Sequence, residues 1–159
     1  MADAVNFRID GIDDLKRQIE KITREMGPDN VEKVNYDAAD IITREVQSRA
    51  PQGPTGNLKS SPVTKKLKRE YYGHPARAIA AIDRKKAPHA HLVEYGTSSR
   101  REVKDKQVLY DSKTGKFFGK SVGPMTARPF FRPAVDAKYN EAFDFLKNGL
   151  GDLIDRGVR

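Results

Sequence analysis

The sequence contains no cysteine. That removes disulfides, cysteine-ligated zinc and thiol nucleophiles together, and it fits synthesis in a reducing cytoplasm. No apolar run approaches the roughly 18 residues of a membrane-spanning helix. The opening MADAVNFRID has no basic-then-apolar leader pattern. There is no glycine-rich phosphate loop and no G-x-S-x-G elbow, and Ser60-Ser61 and Ser98-Ser99 have no spacing that ties them to a base. Apolar residues are few: 37% of 159 residues, against 33% charged. One domain over residues 1–159 is expected, with a modest core, a wet surface and room for disordered loops.

What is abundant is positive charge, a formal net of +8. A basic balance suits a polyanion partner, because neutralising phosphates releases counterions. It also simply solubilises a surface. The densest cluster is Lys65, Lys66, Lys68 and Arg69, followed by Tyr71 and Tyr72. Lysines can contact phosphates while tyrosines stack on bases. The same residues on a strand edge would discourage edge-to-edge pairing. No helix-turn-helix or RNA-binding signature supports base readout.

The apolar spacing organises the chain. Val5 to Asp10 alternates as a short half-buried strand. Ile12, Leu15, Ile19, Ile22 and Met26 recur in steps of three and four, an amphipathic helix that Gly27-Pro28 ends. Asp29 or Asn30 is placed to cap a second helix, with Val31, Val34, Ala38, Ile41, Ile42, Val46 and Ala50 on its buried face and Pro51 as its stop. The two helices should form an antiparallel pair or bracket one side of a sheet. PQGPTGNLKSSP at 51–62 has a loop composition, with Leu58 as a possible strand start. A strand, or else a short helix, is expected next, with Val63 and Leu67 inward and Lys65, Lys66, Lys68 and Arg69 outward. Another follows at Ile79 to Asp83, closed by the basic turn Arg84-Lys85-Lys86. PHAHLVEYGT at 88–97 reads as the clearest strand of the middle of the chain, ended by Gly96. Residues 98–122 are polar, and Asp111 to Gly115 looks like the tip of a long β-hairpin, either a contact arm or a mobile loop.

The stretch GPMTARPFFRPAVDA at 123–137 is stiffened by Pro129 and Pro133. Residues before proline are driven out of the α region, so Arg128 and Arg132 should be extended, with Pro133 in the first turn of a C-terminal helix. Neighbours in an extended segment point to opposite faces. Phe130 and Phe131 should therefore be covered from both sides, or one ring should meet another molecule. The helix carries Val135, Tyr139, Ala142, Phe143, Leu146 and Leu150; Gly149 and Gly151 weaken it, leaving Leu153, Ile154 and Val158 as a frayed turn.

Candidates for chemistry are sparse. His89 and His91 would share a strand face and could join His74 or Glu94 around a metal, but no third ligand stands at a diagnostic spacing. Glu94 is the best single acid–base candidate, yet a carboxylate there more often serves as an ion-pair or interface group. No catalytic, cofactor or metal site is assigned.

Three segments in order, TGNLKSS at 55–61, HLVEYGT at 91–97 and ARPFFRPAVD at 127–136, resemble the neck and tail-completion proteins of long-tailed bacteriophages, the family related to minor tail protein Z. That family shows a T-G-x-L-x-x-S turn, a Glu-Tyr/Phe-Gly-Thr strand end and an Ala-x-Pro-Phe-x-x-Pro-Ala lead-in to a last helix. Pro62 and the polar stretch 98–122 depart from the pattern. The resemblance implies an α+β fold, an antiparallel sheet with a long hairpin packed against two N-terminal helices and one C-terminal helix. It implies a virion structural protein, made in the host cytoplasm and without enzyme activity or cofactor, that completes or caps the tail tube and supports head–tail joining. It implies a ring, by sixfold tail symmetry a hexamer, contacting tail-tube, tail-terminator or connector proteins, with no membrane. A head-to-tail ring needs two different complementary patches. Glu94, Tyr95, Gly96 and Thr97 are the candidate contacts on one side, and Arg128, Phe130, Phe131 and Arg132 on the other. Lys65, Lys66, Lys68 and Arg69 would touch passing DNA. The alternative is a basic nucleic-acid-binding protein using Lys65 to Tyr72; a weaker one is a metal-dependent hydrolase around His89, His91 and Glu94.

Overall fold

Gly27 and Pro28 divide the N-terminal third into two helices. The computed structural model describes residues 11–53, 55–67, 77–98, 101–102, 109–111, 115–119 and 121–159. In it α1 covers Ile12–Glu25 and α2 covers Pro28–Arg49. Gly27 itself precedes α2 in an extended conformation, and Pro28 takes the first helical position, where its missing N–H costs nothing. The expected cap by Asp29 or Asn30 is therefore not formed, because both lie inside the first turn. The Asn30 amide instead donates to the Glu25 carbonyl at 2.9 Å, closing the end of α1. α2 buries Ala38 and Val46, with Ala50 buried just past its end, and half-buries Val31, Val34, Ile41 and Ile42, the face its spacing predicts.

β1 (Pro62–Lys66) and β2 (Ala78–Ile82) pair antiparallel, Pro62 opposite Ile82 and Lys66 opposite Ala78. Leu58 belongs to the turn before β1 and not to the strand. The sheet lies on α2; Thr64 and Lys66 reach that helix, and Val63 and Leu67 are half-buried. Thr64 Oγ1 is 2.9 Å from Asp40 Oδ1 and 2.8 Å from Thr43 Oγ1. Lys66 passes over the Tyr36 ring, 5.9 Å from its centroid, to reach Glu32 at 2.6 Å. A lysine tolerates this position because its stem lies on apolar surface while its ammonium stays wet. That ion pair, with its hydrogen bond, raises the Lys66 pKa.

Two further antiparallel pairs are nested: β3 (Arg101–Glu102) with β6 (Ser121–Val122), and β4 (Leu109–Asp111) with β5 (Lys116–Gly119). A short helix α3 (Ala90–Tyr95) precedes them, and α4 (Phe131–Val158) follows. The architecture is α+β. The strand expected at Val5 to Asp10, the tip residues 112–114, and Lys68, Arg69, Tyr71, Tyr72 and His74 lie outside the described residues.

α4 is the spine. Both α1 and α2 pack on it, so they do not meet chiefly as a pair with each other. It runs unbroken through Gly149 and Gly151 to Val158, against the expected weakening. A Cβ on Gly149 would fall 2.6 Å from Val34 Cγ1, and one on Gly157 2.5 Å from Ile22 Cα. These glycines let α2 and α1 approach closely, and that contact outweighs the ~1 kcal/mol that a glycine costs a helix. Gly151 has nothing within 4 Å of its would-be Cβ. Gly151→Ala is therefore expected to raise stability by about 0.5–1 kcal/mol. Gly149→Ala should lower it by about 1–2 kcal/mol, partly recovered by Val34→Ala in the same chain. Thermal or urea melts of the four proteins check both.

Much apolar surface stays uncovered. α1 buries no residue fully: Ile12, Leu15 and Ile19 are 43%, 57% and 54% exposed. Along α4 the exposed rings of Tyr139 and Phe143 stack with centroids 6.2 Å apart.

Candidate functional site

The three segments that set this sequence apart converge on one place. In TGNLKSS, Gly56 takes the left-handed conformation at φ +65°, and Ser60 N–H donates back to the Gly56 carbonyl. The turn drives Leu58 into the core and buries Ser61 completely, its hydroxyl donating to the Leu58 carbonyl at 2.7 Å. The Ser61 carbonyl then accepts from Asp83 N–H at 2.8 Å, at the end of β2. Asp83 in turn organises the basic turn, its carboxylate accepting from Lys85 N–H and its carbonyl from Ala87 N–H.

PHAHLVEYGT leaves that turn as helix α3, not as the expected strand. Ala90, Leu92 and Glu94 share a strand face, but Ala90 and Glu94 share a helix face as well, so alternation over so few residues does not discriminate. The structure buries Ala90 and Glu94 together. Gly96 ends α3 at φ +71°, ψ −174°.

Glu94 is what this helix delivers. Its Oε2 accepts from the backbone N–H of Phe130 at 2.7 Å and of Phe131 at 2.9 Å, and its Oε1 from that of Arg132 at 3.0 Å. A helix leaves its first four N–H groups without internal partners. For α4 these belong to Phe130, Phe131, Arg132 and residue 133. Glu94 takes three, and Pro133 has no N–H to offer. The start of the spine is thus fully satisfied by one carboxylate from a remote segment. This explains why Arg132, expected to be extended before Pro133, is helical. Burial alone would raise the Glu94 pKa. The three backbone N–H groups and the nearby Arg132 charge outweigh it and hold the carboxyl below the ordinary glutamate range.

The rest of the lead-in is tied to the same helix. Arg128 N–H donates to the Val93 carbonyl at 2.8 Å, Thr97 N–H to the Met125 carbonyl at 2.9 Å, and Met125 N–H to Thr97 Oγ1 at 2.9 Å. Gly96 lies close against this segment, where a Cβ would meet Met125 O at 2.6 Å and Ala127 N at 2.7 Å.

The adjacent phenylalanines do not lie in an extended segment. Successive residues entering a helix are about 100° apart, not 180° as in a strand, so both rings turn toward one core. Phe130 is 2% exposed, packed among Val46, Ala50, Leu58, Ala87, Ala90 and Ala134. Phe131 is half-buried against the same cluster. Glu94 and Phe130, expected as subunit contacts, are buried within the subunit, where the helix start and the core claim them, and Gly96 is half-buried. Thr97 is half-buried in the lock. Tyr95, Arg128 and Arg132 remain exposed.

Beside the lock an open groove of about 810 Å³ runs between the end of β2, α3 and the start of α4. Ile82, Phe131 and Val135 supply apolar lining, and Arg84, Tyr95 and Arg132 stand at its edge. The Arg132 guanidinium lies 5.9 Å from the Tyr95 ring centroid, a cation–π contact. Sequence reasoning missed the groove lined by Ile82 and Arg84 at the end of β2 and by Val135 of α4, two segments about 50 residues apart with no shared pattern. It could have found the role of Glu94: α4 begins without Ser, Thr, Asp or Asn before Pro133, and an uncapped start asks for a distant acceptor. Elsewhere, Lys65 is exposed and Lys66 is engaged with Glu32. His89 precedes α3 as its N-cap residue and His91 lies on α3, and among the described residues no three metal-binding side chains come together. No helix among those residues is long and apolar enough to cross a membrane.

A family model described as "Bacteriophage HK97-gp10, putative tail-component" matches residues 13–96, just over half of the chain. The chain belongs to this family. The HK97-gp10-like match runs from the first turn of α1 to Gly96, through both helices, the β1–β2 pair and the Glu94 helix. It identifies a bacteriophage tail component. No curated protein and no solved structure matches the chain. The lead-in and α4, which complete the Glu94 lock, lie beyond the matched stretch, after β3 to β6.

Proposed function

We propose that this HK97-gp10-like protein is a virion structural subunit of the phage neck or tail end, of the kind related to minor tail protein Z. It completes or caps the tail tube and supports head–tail joining as one subunit of a ring, which sixfold tail symmetry makes a hexamer. It performs no catalysis and needs no cofactor. Its partners are further copies of itself and tail-tube, tail-terminator or connector proteins. The net charge of +8 offers sequence-independent contact with DNA passing through the ring.

The observation that carries the reading is a pairing of opposites within a phage tail family member. The interior is locked by the Glu94 carboxylate, while α1 and α4 leave apolar ridges open to solvent. Contiguous exposed apolar surface marks an interaction site. A locked body with uncovered ridges suits assembly better than turnover. The test is deletion of the gene from its phage. The expected result is unjoined heads and tails, or tails with unfinished ends, rescued by the gene in trans. Infectious particles at undiminished yield would overturn the proposal.

A further inference from the structure

We infer that the basic turn Arg84-Lys85-Lys86, with Lys59 beside it, is the face this subunit turns to duplex DNA, which it holds by its phosphates. The inference rests on the reading of a ring through which DNA passes, and it names the residues that meet the DNA.

The charge of the chain is segregated. Residues 51–135, from the end of α2 into the first turns of α4, hold 18 basic and 6 acidic residues, a net of +12. The rest, which contains α1, α2 and α4 from Asp136 on, holds 12 basic and 16 acidic residues, a net of −4. Solubility alone needs no such division. The helices of a second copy carry too little negative charge to neutralise the basic part. Duplex DNA, with one negative charge per ~1.7 Å of its axis, carries enough.

Within the basic part the fold brings two cationic segments to one end of the molecule and fixes both. The Asp83 carbonyl accepts from Lys86 N–H at 3.1 Å and from Ala87 N–H at 2.9 Å, and the Asp83 carboxylate accepts from Lys85 N–H at 3.0 Å. Ala87 then enters the same core cluster as Leu58. Lys59 directly follows Leu58, in the turn that the Ser61 carbonyl ties to Asp83 N–H at 2.8 Å. Lys59, Arg84, Lys85 and Lys86 are all exposed, and among the described residues none of them is in an ion pair. The nearby acids Asp83 and Glu94 direct their carboxylates to backbone N–H groups instead. Lys66, by contrast, is engaged with Glu32 on α2. A fixed turn that displays unpaired cations suits phosphate contacts, which position a duplex without reading its bases.

The test titrates purified protein into a short fluorescent duplex at several salt concentrations. Wild type is compared with the triple variant Arg84→Gln, Lys85→Gln, Lys86→Gln. The control is Lys16→Gln, Lys21→Gln, Lys147→Gln, which removes as much charge from exposed positions on α1 and α4. The inference predicts that the basic-turn variant keeps the wild-type melting temperature and binds at least about tenfold more weakly at ~50 mM salt. Its slope of log K against log salt should be shallower by about 2–3, close to one for each lost phosphate contact. The control should bind within about threefold of wild type with the slope unchanged, because its charges lie beyond screening range of the contact. Lys59→Gln alone, in the separate loop, should make the slope shallower by about 1. Wild type that does not bind the duplex at low salt, equal losses in both triple variants, or tighter binding to polyglutamate than to the duplex would overturn this face while leaving ring assembly standing. Binding as predicted, by a chain whose deletion leaves infectious particles at undiminished yield, would overturn the ring reading alone.

Discussion

Glu94→Gln is expected to lower the stability of the protein by about 2–4 kcal/mol at neutral pH. Hydrogen bonds to a charged group contribute about 1.5–3 kcal/mol each, and a negative charge at a helix N-terminus adds up to about 2 more. Glutamine keeps one acceptor oxygen but turns an NH₂ group toward donors that it cannot satisfy. The three N–H groups of Phe130, Phe131 and Arg132 are then under-bonded next to the buried Phe130 ring. The pH dependence gives the effect a signature. The folded pKa lies below the unfolded one, so the Glu94 contribution is full above the unfolded value, about 4.3. It is lost as pH falls through the folded value. The gap between wild type and Glu94→Gln should stay constant from about pH 5.5 to 8 and close on acidification. Urea unfolding at several pH values measures it. A small or pH-independent gap would mean that the carboxylate does not hold the start of α4.

Gly96→Ala should cost about 3–5 kcal/mol, for two reasons that add. The φ of +71° with ψ of −174° is a region that essentially only glycine occupies, and a side chain there costs about 1–3 kcal/mol. The new methyl would also press into the Met125 carbonyl oxygen at 2.6 Å and the Ala127 nitrogen at 2.7 Å. Those are backbone atoms that no rotamer change can move. Relief requires the 125–128 segment to leave α3, which breaks the Thr97–Met125 and Val93–Arg128 hydrogen bonds. In this cysteine-free chain the loss should appear as a fall in melting temperature, with protease sensitivity gained at residues 123–130. A neutral substitution would show that the lead-in does not lie against Gly96 in solution.

The legible and illegible parts of this sequence divide by range. α1, α2 and the β1–β2 pair could be read locally, because a stripe at helical spacing or a β-alternation bounded by glycine and proline reports one element's own burial. α3 could not, since Ala90 and Glu94 share a face in either geometry and only a carboxylate's partners decide between them. Those partners lie 36 to 38 residues further on. Gly149 misled for a similar reason. A glycine weakens a helix in isolation but strengthens one that must approach Val34 and Ile22. The three motifs that resembled phage tail proteins were recognisable as a set. Their meaning was not, because what joins them is a shared core and one remote helix cap. The groove beside them was not legible, because its lining comes from β2, α3 and α4, which the sequence does not bring together.

The most direct test of the account is a cryo-EM map of intact particles with this chain traced in it. The account predicts a ring of copies at the neck or the head-proximal end of the tail. Each copy would hold Glu94 against the start of α4. Particles that join heads to tails with no copy of the chain at that junction would contradict it.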